Sequence, residues 1–223
     1  MVDIAELLNG LRIEYMKIVI ANCNEQAGWI GALSSTGKGD NNIFITIKNA
    51  NKFPLYPDAE AFIDLDFNGN FYSPVDRPLL INETVKTINQ LVNAPAQLAR
   101  FCAWPGFCDR GVWEMATTGI DNNWLGPVMH AIGKQYELVG DEPGLVAPRI
   151  LSMIINEALN AVAEGISSTE EIDMAMKMGT NYPDGPLAWA NKIGFININE
   201  LLTSLAKTNA RYSPHPLLKI TNP

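Results

Sequence analysis

Side chains that can act as bases, nucleophiles or metal ligands near neutral pH are scarce in this chain of 223 residues. It contains two histidines and three cysteines, and no two cysteines have Cys-x-x-Cys spacing. His130 lies among apolar residues of a predicted helix, which is typical of a surface or boundary position. His215 stands between two prolines without a neighbour that could pair with it. We therefore predict no metal site, and neither histidine is an obvious general base.

Cys102 and Cys108 flank an aromatic segment and are the remaining candidates for a nucleophile. A cysteine needs a basic neighbour to form a thiolate at neutral pH. The nearby charges are mixed, because Arg100 and Arg110 are accompanied by Asp109. The simpler interpretation is that both cysteines are small, half-buried residues.

Two further groups of residues have a spacing that fits a ligand site. Asp64 and Asp66 alternate along a predicted strand and would face the same side at its carboxyl end, where doubly wound sheets bind ligands. Capping of the following turn is the favoured alternative. Four aromatic residues could line an apolar pocket, although packing in a core is the favoured explanation. These residues are Trp104, Phe107, Trp113 and Trp124.

Short apolar runs separated by turn-forming residues indicate the strands that would position these groups. Strands are predicted at residues 17–21, 43–48, 61–65, 79–81 and 136–139. Helices are predicted at residues 1–15, 85–91 and 123–133. Residues 100–114 are aromatic and irregular. Alternation of strands and helices favours a parallel, doubly wound α/β sheet.

The sequence changes character at residues 141–144, after which every periodic segment is helical. Residues 150–164 are apolar nearly all round, as in a helix buried in a core or an interface. We therefore predict two domains, an α/β domain over residues 1–142 and an all-α domain over residues 143–223.

Capping residues mark the ends of three more helices. Ser168 and Glu171 form a capping box at the start of the first, which is predicted to end at Gly179. The second is predicted between Gly185 and Gly194, and the third is predicted to start at Asn197.

Composition excludes some classes of protein. A formal net charge of −8 and a pI near 4.8 argue against bulk electrostatic binding to nucleic acid or to an anionic membrane. No apolar run reaches the roughly 18 residues that span a bilayer, and the N-terminus has no signal-peptide pattern. With three cysteines in so long a chain, we expect a reduced, cytoplasmic setting.

The helical half resembles a known family, the 3-hydroxyacyl-CoA dehydrogenases. The similarity is strong over residues 141–220 and looser before them. It is carried by Asp141-Glu142-Pro143-Gly144, Arg149, Ile155-Asn156-Glu157-Ala158, Glu164-Gly165, Glu170-Glu171-Ile172-Asp173, Ala175-Met176-Lys177-Met178-Gly179, Tyr182-Pro183-Asp184-Gly185-Pro186, Arg211-Tyr212-Ser213-Pro214 and Pro216-Leu217-Leu218. The resemblance implies a shortened Rossmann-like parallel sheet domain. It also implies a helical dimerisation domain like the C-terminal domain of 6-phosphogluconate dehydrogenase.

The resemblance also implies NAD-dependent oxidation of a 3-hydroxyacyl-CoA, in which a histidine takes the hydroxyl proton and a glutamate orients that histidine. By this resemblance Glu114 corresponds to the glutamate and Thr84 to a hydroxyl of the cleft. Phe101 stands in place of the histidine, and Pro148 in place of a substrate-binding asparagine. Phenylalanine cannot accept a proton. The alternative role for Glu114 is a carboxylate at the edge of a helix or strand that makes local hydrogen bonds.

NAD is implied by the resemblance, but the residues depart from its binding pattern. The positions of the three glycines that allow close approach of a pyrophosphate are occupied by Ala21, Cys23 and Gln26. The second predicted strand runs into Lys48 and Asn49 instead of an acidic residue. Two hypotheses stay open. One is a divergent 3-hydroxyacyl-CoA dehydrogenase of fatty acid metabolism, and the other is an inactive member that binds acyl-CoA or forms a homodimer.

Overall fold

Seven short strands pair into one sheet in the computed structural model, which describes residues 15–22, 42–74, 76–119 and 121–219. The strands are β1 (Lys17–Ala21), β2 (Ile43–Ile47), β3 (Ala61–Asp64), β4 (Leu79–Asn82), β5 (Leu98–Phe101), β6 (Val112–Thr117) and β7 (Gln135–Leu138). Their order across the sheet is β2-β1-β3-β4-β5-β6-β7. The central strands are apolar and buried along nearly their whole length, as expected for parallel strands covered on both faces.

The sheet is mostly parallel, which confirms the predicted α/β class. Strands β2, β1, β3, β4 and β5 are parallel neighbours. The exception is β6, which runs antiparallel to β5 and parallel to β7. Strand β6 departs from the predicted parallel arrangement, because the chain returns from β5 to β6 through a short irregular loop at residues 102–111 instead of a crossover helix.

Two predictions of local structure were wrong on either side of β5. The helix predicted at residues 85–91 is only a 3-10 turn at Ile88–Gln90. The Ile88 amide there donates to a side-chain oxygen of Asp141 at 2.8 Å instead of starting a helical ladder. The supposedly irregular residues 100–114 include the end of β5 and the start of β6.

Five α-helices are described. They are α1 (Leu125–Ala131), α2 (Ala147–Ala163), α3 (Thr169–Thr180), α4 (Pro186–Ile193) and α5 (Phe195–Ala206). Helix α1 packs on the sheet, and the other four form what we call the helical part, residues 147–219. The helix predicted at residues 1–15 lies outside the described residues except for Tyr15.

The helix ends show how the predicted caps act. The Ser168 hydroxyl accepts from the Glu171 amide at 3.3 Å, so the predicted capping box starts α3. Helix α3 continues one residue past Gly179, because Asn181 provides the left-handed residue that ends it, with φ 56°. Helix α5 begins before the predicted Asn197, and the side-chain Nδ2 of this residue donates to the Ile193 carbonyl instead of the side chain capping a helix.

Among the described residues, three apolar clusters form the core. Alternate residues of the strands fill two of them, one on the face covered by α1 and the other on the opposite face. The third cluster is built from α2, α4 and α5. Cys102, Trp104 and Phe107 of the loop after β5 belong to this third cluster, so the loop packs into the helical part.

Candidate functional site

Four of the residues singled out by the resemblance, Thr84, Phe101, Glu114 and Pro148, lie where the carboxyl ends of β4 and β5 approach the segment that leads into α2. This linker, residues 139–147, is held to the sheet by main-chain and side-chain hydrogen bonds. The Gly144 amide donates to the Thr84 carbonyl at 2.7 Å, and the Val139 amide donates to the Met115 carbonyl at 2.9 Å. The candidate site is therefore a junction between the sheet and the helical part.

Glu114, on β6, uses its carboxylate to cap helix α2. One carboxylate oxygen accepts from the Val146 amide at 2.9 Å, and both oxygens accept from the Ala147 amide at 3.0 and 3.1 Å. A carboxylate at a helix N-terminus satisfies otherwise unpaired amides and interacts favourably with the helix dipole. The partners are 32 and 33 residues away in the chain, so this contact joins the sheet to α2.

Thr84 and Cys102 lie side by side in the interior. Thr84 is buried, and its hydroxyl oxygen makes no hydrogen bond of ordinary geometry with the described residues. Burial raises the pKa of the Cys102 thiol to about 12, against a smaller opposite effect of the Thr84 hydroxyl. The neutral thiol is therefore the form present at physiological pH, which argues against a nucleophilic role.

Phe101 occupies the end of β5, where the resemblance implies a histidine. Its ring is buried and stacks on the Trp113 ring with a centroid distance of 4.6 Å and an interplanar angle of 12°. Phe101, Cys102 and Glu114 border a cavity of only about 30 Å³. This cavity has room for about one water molecule, so it is too small for an acyl group.

Pro148 lies in the first turn of α2, directly after the amide that Glu114 binds. Proline fits there because its missing N–H would have no partner within the helix. The side chain contributes no hydrogen-bonding group at the position where the resemblance implies an asparagine.

Arg100 is a feature of the site that the sequence reasoning missed. It is fully buried within β5, and its Nε lies 2.5 Å from the Asp141 carboxylate. The guanidinium also donates to the carbonyls of Glu83 at 3.2 Å and Glu142 at 2.7 Å. The available signal was an arginine in an otherwise apolar strand, because a buried charge requires a partner.

The two acidic residues near β3 form a turn. The Asp66 amide donates to the Asp64 carboxylate at 3.1 Å, which bears out the turn-capping alternative. Asp64 is buried, and loss of water contact raises the pKa of its carboxyl to about 6.

The two histidines lie at separate positions of the fold. His130 is exposed in the last turn of α1, as predicted. His215 has partners that the sequence did not suggest, because its amide donates to the Asn156 side chain at 2.7 Å and its Nδ1 accepts from the Leu217 amide at 3.3 Å.

The four aromatic residues are divided between two cores. Trp104 and Phe107 pack in the helical cluster, whereas Trp113 is buried in the cluster on the α1 face of the sheet and Trp124 packs against it. Core packing therefore accounts for these rings.

A groove of about 660 Å³ lies beside the junction and is open to solvent. One wall consists of the turns after β3 and β4, including Glu83 and Lys86. The other wall is one polar face of α5. The α5 side of the groove comprises Asn199, Glu200, Thr203, Ser204 and the following Lys207. The groove has the size of a small-molecule site and lies at the sheet edge where α/β folds bind ligands.

The described residues at this sheet edge do not fit NAD in the way the family binds it. The Asn22 amide donates to the Ile47 carbonyl at 2.9 Å, so β1 continues alongside β2 beyond Ala21 instead of turning there. After β2, Lys48 is exposed where an acidic residue would bind the ribose. The buried carboxyl of Asp64 lies at the end of β3, next to β1. The other two positions where the family has glycines that approach the pyrophosphate, Cys23 and Gln26, lie outside the described residues.

In residues 15–22, 42–74, 76–119 and 121–219, no three histidine, cysteine or acidic side chains are grouped to hold a metal ion. Within the same ranges, no helix has the length and apolar character needed to span a membrane.

Comparisons with known proteins identify the helical part. Residues 144–221 match the family described as 3-hydroxyacyl-CoA dehydrogenase, C-terminal domain. The chain is 44% identical over 89 residues to 3-hydroxyadipyl-CoA dehydrogenase of Escherichia coli, covering 39% of this chain and 19% of the relative. It is 46% identical over 84 residues to 3-hydroxybutyryl-CoA dehydrogenase of Clostridioides difficile, covering 36% and 29%. These alignments span less than a third of each relative.

The fold as a whole also has a match among solved structures. The (S)-3-hydroxybutyryl-CoA dehydrogenase of Ralstonia eutropha aligns with a TM-score of 0.70 and 18% identity, over 92% of this chain and 93% of that one. At this identity the match concerns the fold alone. Residues 144–221 are thus similar to the C-terminal domain of the 3-hydroxyacyl-CoA dehydrogenase family, and the chain as a whole has the fold of the Ralstonia eutropha enzyme.

Proposed function

We propose that this protein is a non-catalytic member of the 3-hydroxyacyl-CoA dehydrogenase family that binds acyl-CoA in the groove between its two domains. The proposed domains are residues 1–142 and 143–223, and the proposed setting is the cytoplasm. The main support for the proposal is that the Glu114 carboxylate already accepts hydrogen bonds from the first amides of α2.

Dehydrogenation would require a base to take the hydroxyl proton and a cofactor to take the hydride. Phe101 has no basic atom, and the Cys102 thiol remains protonated because burial raises its pKa to about 12. The described residues of the sheet edge, Asn22, Lys48 and Asp64, do not provide the features that bind NAD. Loss of one residue from a group that acts together in acid–base catalysis removes most of the rate enhancement of that group. We therefore expect no turnover.

The groove supports ligand binding without turnover. It is bordered by both domains, is large enough for part of a CoA thioester, and is lined mainly by side chains that can form hydrogen bonds.

We also propose that the protein is a homodimer through its helical domain. Several large apolar side chains of the helical domain are exposed to solvent. Monomeric proteins rarely expose such side chains in large contiguous patches. They are Val146, Ile150, Ile166, Met174, Met178 and Ile196. Light scattering that gave a monomeric mass at micromolar concentration would contradict the dimer.

Two measurements test the proposal. Isothermal titration calorimetry with acetoacetyl-CoA is expected to give a dissociation constant in the micromolar range. Absorbance of reduced nicotinamide is expected to stay unchanged when NAD and 3-hydroxybutyryl-CoA are added at high protein concentration. Absence of acyl-CoA binding would refute the proposal, and so would turnover.

The second candidate is a divergent NAD-dependent dehydrogenase. The retention of Thr84 and Glu114 beside the domain junction favours it. Nicotinamide reduction that is lost in E114Q would support this candidate against the first. NAD binding without reduction would show only that the cofactor site persists.

A further inference from the structure

The groove between the domains carries two lysines that have no ion pair within the described residues. Lys86 lies in the turn after β4, and Lys207 follows the end of α5, so one lysine is contributed by each wall. Lys17 and Lys192, by contrast, form ion pairs with Asp58 and Asp184, away from the groove. Lysine ammonium groups bind carboxylates and phosphates as mobile point charges.

The two acidic residues of the groove differ in the hydrogen bonds that their carboxylates accept. One oxygen of Glu83 accepts from the Val85 amide at 2.8 Å and from the Lys86 amide at 2.9 Å, so this carboxylate is held by its own turn. Glu200 is exposed on α5 and has room to turn toward solvent. A bound anion would therefore meet two lysines and two carboxylates, of which that of Glu83 is held in place by its own turn and that of Glu200 is free to turn away.

Polar side chains of α5 line the same wall of the groove as Lys207. Thr203 and Ser204 lie one turn before Lys207 and line the groove with it. The side-chain oxygen of Asn199 is shielded from solvent and has no hydrogen-bond partner among the described residues. A buried acceptor without a donor is costly, so a ligand that supplies an N–H or O–H group would be stabilised there.

We propose that Lys86 and Lys207 bind an oxyanion of the acyl-CoA ligand across this groove. The inference rests on the proposed function. A carboxylate at the far end of the acyl chain and a phosphate of the CoA moiety are two sources of the same chemistry. In either case the rest of the ligand supplies donors to the α5 face.

Calorimetry with three thioesters distinguishes these sources. The probes are pentanoyl-CoA, glutaryl-CoA, which has the same chain length and a terminal carboxylate, and S-pentanoyl pantetheine, which lacks the phosphates. The proteins are the wild type, K86M, K207M and K177M. Lys177 is an exposed residue of α3 outside the groove and serves as the matched control.

Each groove substitution is expected to weaken binding of the probe that carries the recognised anion by roughly fivefold. If that anion is a carboxylate, glutaryl-CoA binds more tightly than pentanoyl-CoA, and K86M and K207M reduce the difference. If it is a phosphate, the same variants reduce the advantage of pentanoyl-CoA over S-pentanoyl pantetheine. K177M should leave all three affinities unchanged.

Equal effects of the groove variants on all three thioesters, or no effect on any, would overturn the inference while leaving acyl-CoA binding intact. If none of the CoA thioesters binds the wild type, the proposed function itself is refuted. Circular dichroism spectra of K86M and K207M would establish that these surface variants are folded.

Discussion

Arg100 and Asp141 form an ion pair across the junction between the sheet and the linker, with 2.5 Å between the guanidinium Nε and the carboxylate. The arginine side chain has no exposed surface, whereas that of Asp141 is 23% exposed. The second oxygen of Asp141 accepts from the Ile88 amide, so one carboxylate connects β5, the turn after β4 and the linker. The pair thus ties the linker to the sheet.

Removal of the carboxylate should therefore destabilise the protein strongly. D141A leaves the buried Arg100 charge without its counter-ion, and we expect it to lower the free energy of unfolding by about 3 kcal/mol. R100M removes the buried charge itself and should cost less. Urea denaturation followed by tryptophan fluorescence measures both values.

The control for this pair is D58A, which breaks the exposed ion pair of Lys17 and Asp58 and should change stability little. If D141A is no more destabilising than D58A, the pair does not hold the linker.

The second prediction concerns the cap that Glu114 provides for α2. E114A leaves the Val146 and Ala147 amides without an acceptor, and we expect a loss of about 1–2 kcal/mol. E114Q keeps an acceptor oxygen and should lose less. Hydrogen exchange at these two amides should accelerate more in E114A than in E114Q.

The Glu171 cap of α3 offers a matched comparison, because that carboxylate caps a helix of the helical part from within the same helix. E171A should loosen α3 without accelerating exchange at residues 146 and 147. Unchanged exchange in E114A would contradict the proposed cap.

The third prediction is a pH dependence of stability caused by Asp64. Burial raises the pKa of this carboxyl to about 6 from an ordinary value of 3.8. Between these two values the folded state binds more protons than the unfolded state, so stability falls as the pH rises through this range. D64N removes this fall and keeps an oxygen that can accept from the Asp66 amide.

We therefore expect D64N to be more stable than the wild type at pH 7 by about 2 kcal/mol, and the difference to vanish near pH 4. Urea denaturation at both pH values gives the comparison, and D76N at an exposed position is the control. A difference between D64N and wild type that does not depend on pH would contradict the assignment.

Much of the fold follows from local patterns in the sequence. β1, β3 and β4 are short apolar runs, and α3 starts at a capping box that is visible as Ser168 and Glu171. Burial and capping leave signals within a few residues of each other, so these elements can be predicted from the sequence alone.

The contacts of the site could not be predicted in this way. Glu114 binds amides 32 and 33 residues later, and Arg100 pairs with a carboxylate 41 residues later. No local pattern identifies such partners, because they depend on how the linker crosses the sheet. Strand β6 was missed for a related reason, since its first residue, Val112, is exposed and the strand follows a compact aromatic loop.

The loop after β5 has a consequence for any attempt to divide the chain. Trp104 and Phe107 precede residues 144–221, which match the family model, by almost forty residues, yet they pack in the same apolar cluster as the helices. A fragment that starts at residue 143 would have a hole where two aromatic rings belong. The core of the helical part is therefore completed by side chains of the loop after β5. The helical part cannot be transplanted intact without that loop.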